Sequence, residues 1–270
     1  MGLVHIEMFA TLDLVAQAPG GPGEDPVGFP FGGWQAPLVD EVSGAQVGAA
    51  YEGTDALLLG RRTYDIFAAH WPHQEGGPGN EIATLFNSIP KYVASRGRPD
   101  LSWAGSTQLG PDLVGAVREI RDRHEHVKVV GSLNLVQTLL REKLFDRLDL
   151  WLHPIVLGVG KKVFDGGAVP TNVTLLDAPA AGPNGIVYLR YGLADGTPGT
   201  GDSERTRSRC RPRRLRPPGA GRAVSAAGDP PGRQDVTASV PRRGGRPGRA
   251  ARPRRSARRD RPSPAWPGRG

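Results

Sequence analysis

The chain has 270 residues, 38% of them hydrophobic, and a formal net charge of +8 that is unevenly placed. Through Gly201 there are 15 Lys and Arg against 22 Asp and Glu, a net of −7; the last 69 residues hold 20 Arg, no Lys and 5 acids, a net of +15. The basic character therefore belongs to the tail, and the mildly acidic remainder carries no sign of a nucleic-acid-binding surface.

Read in chain order, residues 3–12 ("LVHIEMFATL") form a first strand, and residues 36–53 a helix with Leu38, Val42, Ala45, Ala49 and Ala50 on one stripe. A buried strand at 56–59 leads into a helix that opens near Arg61. A short helix over 80–88 and a strand over 91–95 follow. Pro111 and Asp112 start a helix through 125, with Val114, Val117 and Ile120 as its stripe. The strand 127–131 passes at once into a helix over 132–144, with Ser132 in the N-cap position. Residues 146–158 alternate Leu148, Leu150 and Leu152 inward, and 172–178 and 185–194 close as two antiparallel strands. Early strand–helix alternation with late strands predicts a three-layer α/β/α domain over 1–195 on a mixed, mostly parallel sheet.

Residues 196–270 are Gly-, Pro- and Arg-rich without apolar periodicity, a composition expected to be disordered. Such a tail could neutralise nucleic-acid phosphates, or it could be an extension without a selected role; Arg used to the exclusion of Lys favours the second. The single cysteine, Cys210, excludes an internal disulfide and a cysteine-based metal site. No run approaches 18 apolar residues, and the N-terminus lacks the basic-then-apolar order of a secretory leader. The expectation is a cytoplasmic protein without membrane contact.

Two strand-to-helix turns carry the chemistry. At "LLLGRRT" Gly60 ends a strand and a helix starts at Arg61, Arg62 and Thr63; at "KVVGSLN" Gly131 ends a strand ahead of Ser132, Leu133 and Asn134. A helix N-terminus presents unpaired N–H groups and about half a positive charge, which suits an anion. Neither turn matches a dinucleotide or nucleotide-triphosphate fingerprint. A third element, Ser95 and Arg96 after "KYVA", offers a hydroxyl and a guanidinium that could clasp a phosphate monoester. The pairs His70/His73 and His124/His126 find no third ligand group and read as surface residues, so no metal is expected.

The segments "DALLLGRRTYDIF", "KYVASR", "VKVVGSLNLVQTLL" and "LDLWLHPIVLGVGKKVF", with "ATLDLVAQAPGGPGED" and "GGWQAP" ahead of them, stand in the order of the dihydrofolate reductase-like family. The chain resembles most the reductase (RibD C-terminal) domain of the bifunctional riboflavin-biosynthesis enzyme and its stand-alone relatives, over roughly residues 3 to 193. That resemblance implies an NADPH site, with Gly60, Arg61, Arg62 and Thr63 on the phosphates. It places Ser95 and Arg96 near the adenosine 2′-phosphate, and Gly131, Ser132, Leu133 and Asn134 around the pyrophosphate. It also puts Thr11 and Asp13, in "TLDL", on the substrate side, with Asp13 as a polar contact or proton relay, and Gly33 and Trp34 lining the substrate pocket. Leu14 stands where the family has Gly, and Leu133 where it commonly has a small residue.

Three functions follow as expectations. The first is an NADPH-dependent reductase of a small heterocyclic (pterin- or pyrimidine-like) or carbonyl substrate. The second is an NADPH-binding protein without efficient catalysis, suggested by Leu14 and Leu133; the third is nucleic-acid association through the tail. Asp40 and Glu41 at the start of the first helix are read as complements of the helix N-terminus. The family relation implies a homodimer. The riboflavin-pathway step itself is the less expected assignment, since no zinc-binding deaminase segment precedes this region.

Overall fold

The computed structural model describes residues 1–201, apart from Glu75, Pro78 and Gly167. The arginine-rich stretch from 202 on, including Cys210, lies outside the described residues. Nine strands form one sheet: β1 (Leu3–Thr11), β2 (Ala56–Gly60), β3 (Lys91–Ala94), β4 (Ser106–Gln108), β5 (His126–Val130), β6 (Arg147–His153), β7 (Val173–Leu175), β8 (Ala180–Ala181) and β9 (Val187–Leu193). Five helices connect them: α1 (Glu41–Ala50), α2 (Arg61–His70), α3 (Asn80–Ser88), α4 (Leu113–Arg123) and α5 (Leu133–Arg141). The strand order is β4-β3-β2-β5-β1-β6-β9-β7, with β8 beside β9. The first six of these are mutually parallel, and β9 runs antiparallel to β6, β7 and β8.

The expected mixed sheet, with its helices and late antiparallel strands, is the observed one. β1 and β2 are buried on both faces, as interior parallel strands must be, which is why their sequences read as apolar runs rather than alternations. One face carries α4 and α5 over a core of Val4, Ile6, Leu58, Val117, Ile120, Val127, Leu135 and Leu139. The other carries Leu57, Leu59, Tyr64, Phe86 and Trp103 under α2 and α3, with Tyr51 from the end of α1. Asp40 caps α1 by accepting the Ser43 N–H at 2.7 Å, while the Ser43 hydroxyl accepts the Asp40 N–H; it stands just ahead of the helix as its N-cap, whereas the sequence reading places it within the first turn as a charge complement. Asp112 caps α4 through the Gly115 N–H at 2.9 Å.

Two strands were not legible: β4 and β8 have three and two residues, too few for a period to show. The chain moves from β1 to β2 and on to β3 and β4 at one edge, then returns to place β5 between β2 and β1. Because α2 leaves β2 on one face and α5 leaves β5 on the other, a crevice opens between their N-termini at the carboxyl ends of the strands.

Candidate cofactor and substrate cleft

A cleft of about 1920 Å³ occupies that crevice. It gathers Gly60, Arg61, Arg62 and Thr63 after β2, Ser95 and Arg96 after β3, and Gly131, Ser132, Leu133 and Asn134 after β5. All ten residues expected at the cofactor therefore share one concavity, although they come from three separate stretches of chain.

The two turns are stitched together by a single hydroxyl. Ser132 Oγ accepts the Gly60 N–H at 2.8 Å and donates to Thr63 Oγ1 at 2.5 Å. A Cβ on Gly60 would stand 2.6 Å from both Cβ and Oγ of Ser132, so glycine is required there by close approach; its φ of −78° is ordinary. Gly131 (φ 65°) and Ser132 (φ 58°) are consecutive left-handed residues that turn the chain out of β5. This corrects the expected role of Ser132. It precedes α5 but makes no side-chain cap bond, because its left-handed backbone aims the hydroxyl at β2 instead. Gly60 likewise provides no side-chain cap to α2. Both helices consequently begin on the cleft with their first N–H groups uncapped by side chains. The Ser132 and Thr63 hydroxyls share this bond at the point of the cleft where the two helices begin.

The arginines differ from one another. Arg61 Nε donates to both carboxylate oxygens of Asp65 at 2.8 and 2.7 Å, an exposed i,i+4 pair. Arg62 is exposed and stands near Asp25 across the mouth of the cleft. Arg96 is exposed, and the Ser95–Gly97 turn beside it is held by the Gln108 amide, which donates to Gly97 O at 2.6 Å. Leu133 lines the cleft yet packs against the core under α5.

Residues 3–187 match the family model described as the RibD C-terminal domain. The chain belongs to that family. Over 139 residues, 51% of the chain and 73% of the relative, it is 27% identical to the uncharacterized protein YyaP of Bacillus subtilis (strain 168). Among solved structures it is similar to a putative riboflavin biosynthesis protein from Shewanella sp. PV-4, with a TM-score of 0.55 and 16% identity over 72% of this chain and 99% of that one. A pyrimidine reductase-like protein from Corynebacterium diphtheriae gives a TM-score of 0.51 and 12% identity, over 72% and 93%. At these identities the structural likeness establishes the fold of the RibD C-terminal domain and nothing finer.

Four residues placed on the substrate side by resemblance do not line the cleft of this RibD C-terminal domain. Thr11 is fully buried; its hydroxyl donates to Asp13 at 2.6 Å and accepts the Val15 N–H at 3.0 Å. Asp13 also accepts the N–H groups of Leu157 and Gly158 at 3.2 and 2.9 Å, so it ties the first loop to the segment after β6. The Thr11 hydroxyl and those two N–H groups hold its carboxyl down to about 2. Asp13 is thus ionised at neutral pH, with its oxygens engaged by the first loop and the segment after β6, and it stands outside the cleft. Gly33 (φ 80°) turns the chain against Pro22. Trp34 is 7% exposed, donates Nε1–H to Gln17 O at 2.9 Å and meets the His153 ring in a T-shaped contact, so the described residues leave little of it open. Leu14 adopts φ 66°, a left-handed conformation that favours glycine, and its N–H donates to Thr11 O at 2.8 Å.

Sequence reading also passed over a buried charge cluster. Glu7 of β1, Lys128 of β5 and Asp149 of β6 lie on the same face of three adjacent strands, each no more than 1% exposed. Lys128 Nζ is 3.2 Å from Glu7 and 3.8 Å from Asp149; Arg147 Nε donates to Asp149 at 2.8 Å. Trp151 Nε1 donates to Glu7 Oε1 at 3.1 Å, and Glu7 Oε2 is the oxygen that faces Lys128 Nζ. Burial pushes the Glu7 carboxyl up, against the pull of Lys128, and burial beside Glu7 pushes the Tyr51 hydroxyl well up. Glu7 and Tyr51 line the cleft. The signal was available: a Glu, a Lys and an Asp each sit inside an apolar strand, where an isolated charge is costly and a partner is required.

Of the histidines, His70 and His73 are exposed as expected. His124 is half-buried and shares a 2.8 Å hydrogen bond with the Tyr92 hydroxyl. No group of three metal-ligating side chains occurs among the described residues, and no helix there is long and apolar enough to cross a membrane.

Proposed function

We propose that this chain is an NADPH-dependent reductase that passes a hydride to a small heterocyclic or carbonyl substrate. The observation that carries the reading is the joined pair of turns, where two uncapped helix N-termini and the Thr63 hydroxyl converge on one cleft. Family membership supports it, and the pyrimidine reductase-like description of the Corynebacterium neighbour points the same way.

The residues present fit a dinucleotide. The N–H groups at the starts of α2 and α5, the Thr63 hydroxyl and Arg62 would hold the pyrophosphate, and Gly60 and Gly131 keep that approach free of side chains. Ser95 and Arg96, on the turn fixed by Gln108, would take the adenosine 2′-phosphate. When bound, the cofactor supplies the hydride. The chain supplies position, an apolar lobe from Phe9, Val47 and Phe67, and the Glu7 carboxyl, raised by burial and paired with Lys128, as the group that would pass a proton.

The test is calorimetric titration of the full chain with NADPH and NADH, repeated on Arg96→Gln. The reading expects saturable NADPH binding, about tenfold or more weaker in the variant, with NADH affinity unchanged. Absence of NADPH binding to the folded wild-type chain would refute it.

A further inference from the structure

Behind the Glu7 carboxyl a string of alternating charges runs across the sheet and away from the cleft. Glu7 lines the cleft from β1, and directly beside it in the parallel register of β6 stands Asp149. Lys128 of β5 serves both, with its Nζ 3.2 Å from Glu7 and 3.8 Å from Asp149. Beyond Asp149 come two guanidinium groups: Arg147 Nε donates to it at 2.8 Å, and Arg190 Nε stands 3.7 Å away. Both arginines donate to the Tyr188 hydroxyl, at 3.1 and 2.9 Å, and Arg190 reaches the exposed Asp177 at 2.9 Å. Lys128, Asp149 and Arg147 stand outside the lining of the cleft, so they can act on it only through Glu7.

Burial decides what the string can do. The side chains of Glu7, Lys128 and Asp149 are no more than 1% exposed, so water and salt screen them little from one another. One ammonium faces two carboxyl groups. Asp149 has the guanidinium of Arg147 as well, and such a charge-assisted bond keeps a carboxylate ionised. Its negative charge bears on Glu7 at close range and favours the protonated form of that neighbour, while Arg147 offsets part of the effect. The other titratable groups around Glu7 are Tyr51, after α1, and His5, two residues back on β1. Burial pushes the Tyr51 hydroxyl well up, and burial with the Lys128 charge holds His5 down to about 3. Both are uncharged near neutral pH and leave the balance to Lys128, Asp149 and Arg147.

We propose that Asp149 and Arg147 are positioning residues for the proton of Glu7: Asp149, across Lys128, makes Glu7 hold its proton more tightly, and Arg147 limits how strongly it does so. This rests on the reductase reading for its purpose, but the linkage is an equilibrium property of the chain alone.

The experiment follows the Trp151 indole N–H by NMR in the full chain carrying isotope-labelled tryptophan, without cofactor or substrate, as the pH is varied. Trp151→Phe identifies the resonance. Because this N–H donates to Glu7 Oε1, its shift reports the state of the Glu7 carboxyl. Expected is a transition that Glu7→Gln abolishes. Asp149→Asn should move its midpoint to lower pH by about one unit or more, and Arg147→Gln should move it to higher pH. A merely structural disturbance would not drive the two variants in opposite directions. Asp149→Asn alters a fully buried cluster; Arg147→Gln, at the partly exposed end of the string, keeps the test decisive should the first variant fail to fold. A resonance indifferent to pH, a transition that survives Glu7→Gln, or an Arg147→Gln midpoint that stays put or falls would overturn the inference. So would an Asp149→Asn midpoint that stays put or rises. If NADPH fails to bind the wild-type chain while the midpoints move as expected, the reductase reading falls and the linkage stands.

Discussion

Replacing Gly60 with alanine tests whether close approach between two strand ends builds the cleft. The new Cβ would lie 2.6 Å from Ser132 Cβ and Oγ, inside the distance that real Cβ atoms tolerate, and its next neighbour is Leu135 Cβ at an ordinary 3.7 Å. Overpacking of this kind costs about 1–3 kcal/mol. Ser132→Gly removes both obstructing atoms. That variant loses the bond to the Gly60 N–H, about 1 kcal/mol, and relieves a left-handed non-glycine residue at φ 58°, worth about the same. It should therefore be nearly neutral alone. In the double variant the added methyl group occupies the vacated space, so the penalty of Gly60→Ala should largely vanish, leaving a coupling of about 2 kcal/mol. Urea unfolding of the four proteins measures it, and NADPH titration should follow the same pattern, because the displaced groups are the helix starts. Additive penalties, with the double variant as damaged as the sum of the singles, would show that the contact does not set this junction.

Three further outcomes are expected. Asp13→Asn should lower the Tm at neutral pH. The wild-type carboxyl sits near 2 instead of its ordinary 3.8, so its stabilisation is full above about pH 4 and the gap between the proteins should close as the pH falls toward 2. Lys128→Met leaves Glu7 and Asp149 without their central partner and should cost roughly 3–5 kcal/mol in urea unfolding, a loss reduced when Glu7→Gln is added. Lys143 is exposed with φ 52°, just past α5, where Leu144 N–H reaches Leu139 O and Lys143 N–H reaches Leu140 O. This is a helix ending that favours glycine, so Lys143→Gly should stabilise by about 1 kcal/mol, or about 2–4 °C in Tm for a domain of this size.

Much of this protein is written locally. The strands 56–60 and 126–130 announce themselves because an interior parallel strand must be apolar on both faces, and the turns at Gly60 and Gly131 follow because each strand passes directly into a helix. The opposite charges of the two parts of the chain are likewise plain from composition. Asp40 reads as a helix-start acid and is one, since capping involves only residues three apart in sequence.

Tertiary structure decided what depends on partners far along the chain. Ser132 has the residue type and position of an N-cap, yet its hydroxyl serves Gly60 and Thr63, 72 and 69 residues away, because its backbone turns left-handed. Asp13 resembles a site acid, but its oxygens meet Leu157 and Gly158, which only the placement of β6 beside β1 brings near. Trp34 reads as an open loop residue, yet it is buried, with His153 from the end of β6 against its ring. Glu7, Lys128 and Asp149 appear in sequence as three unrelated mid-strand charges. They become one cluster because β5, β1 and β6 are neighbours in register, and a desolvated charge is tolerable only where such neighbours neutralise it.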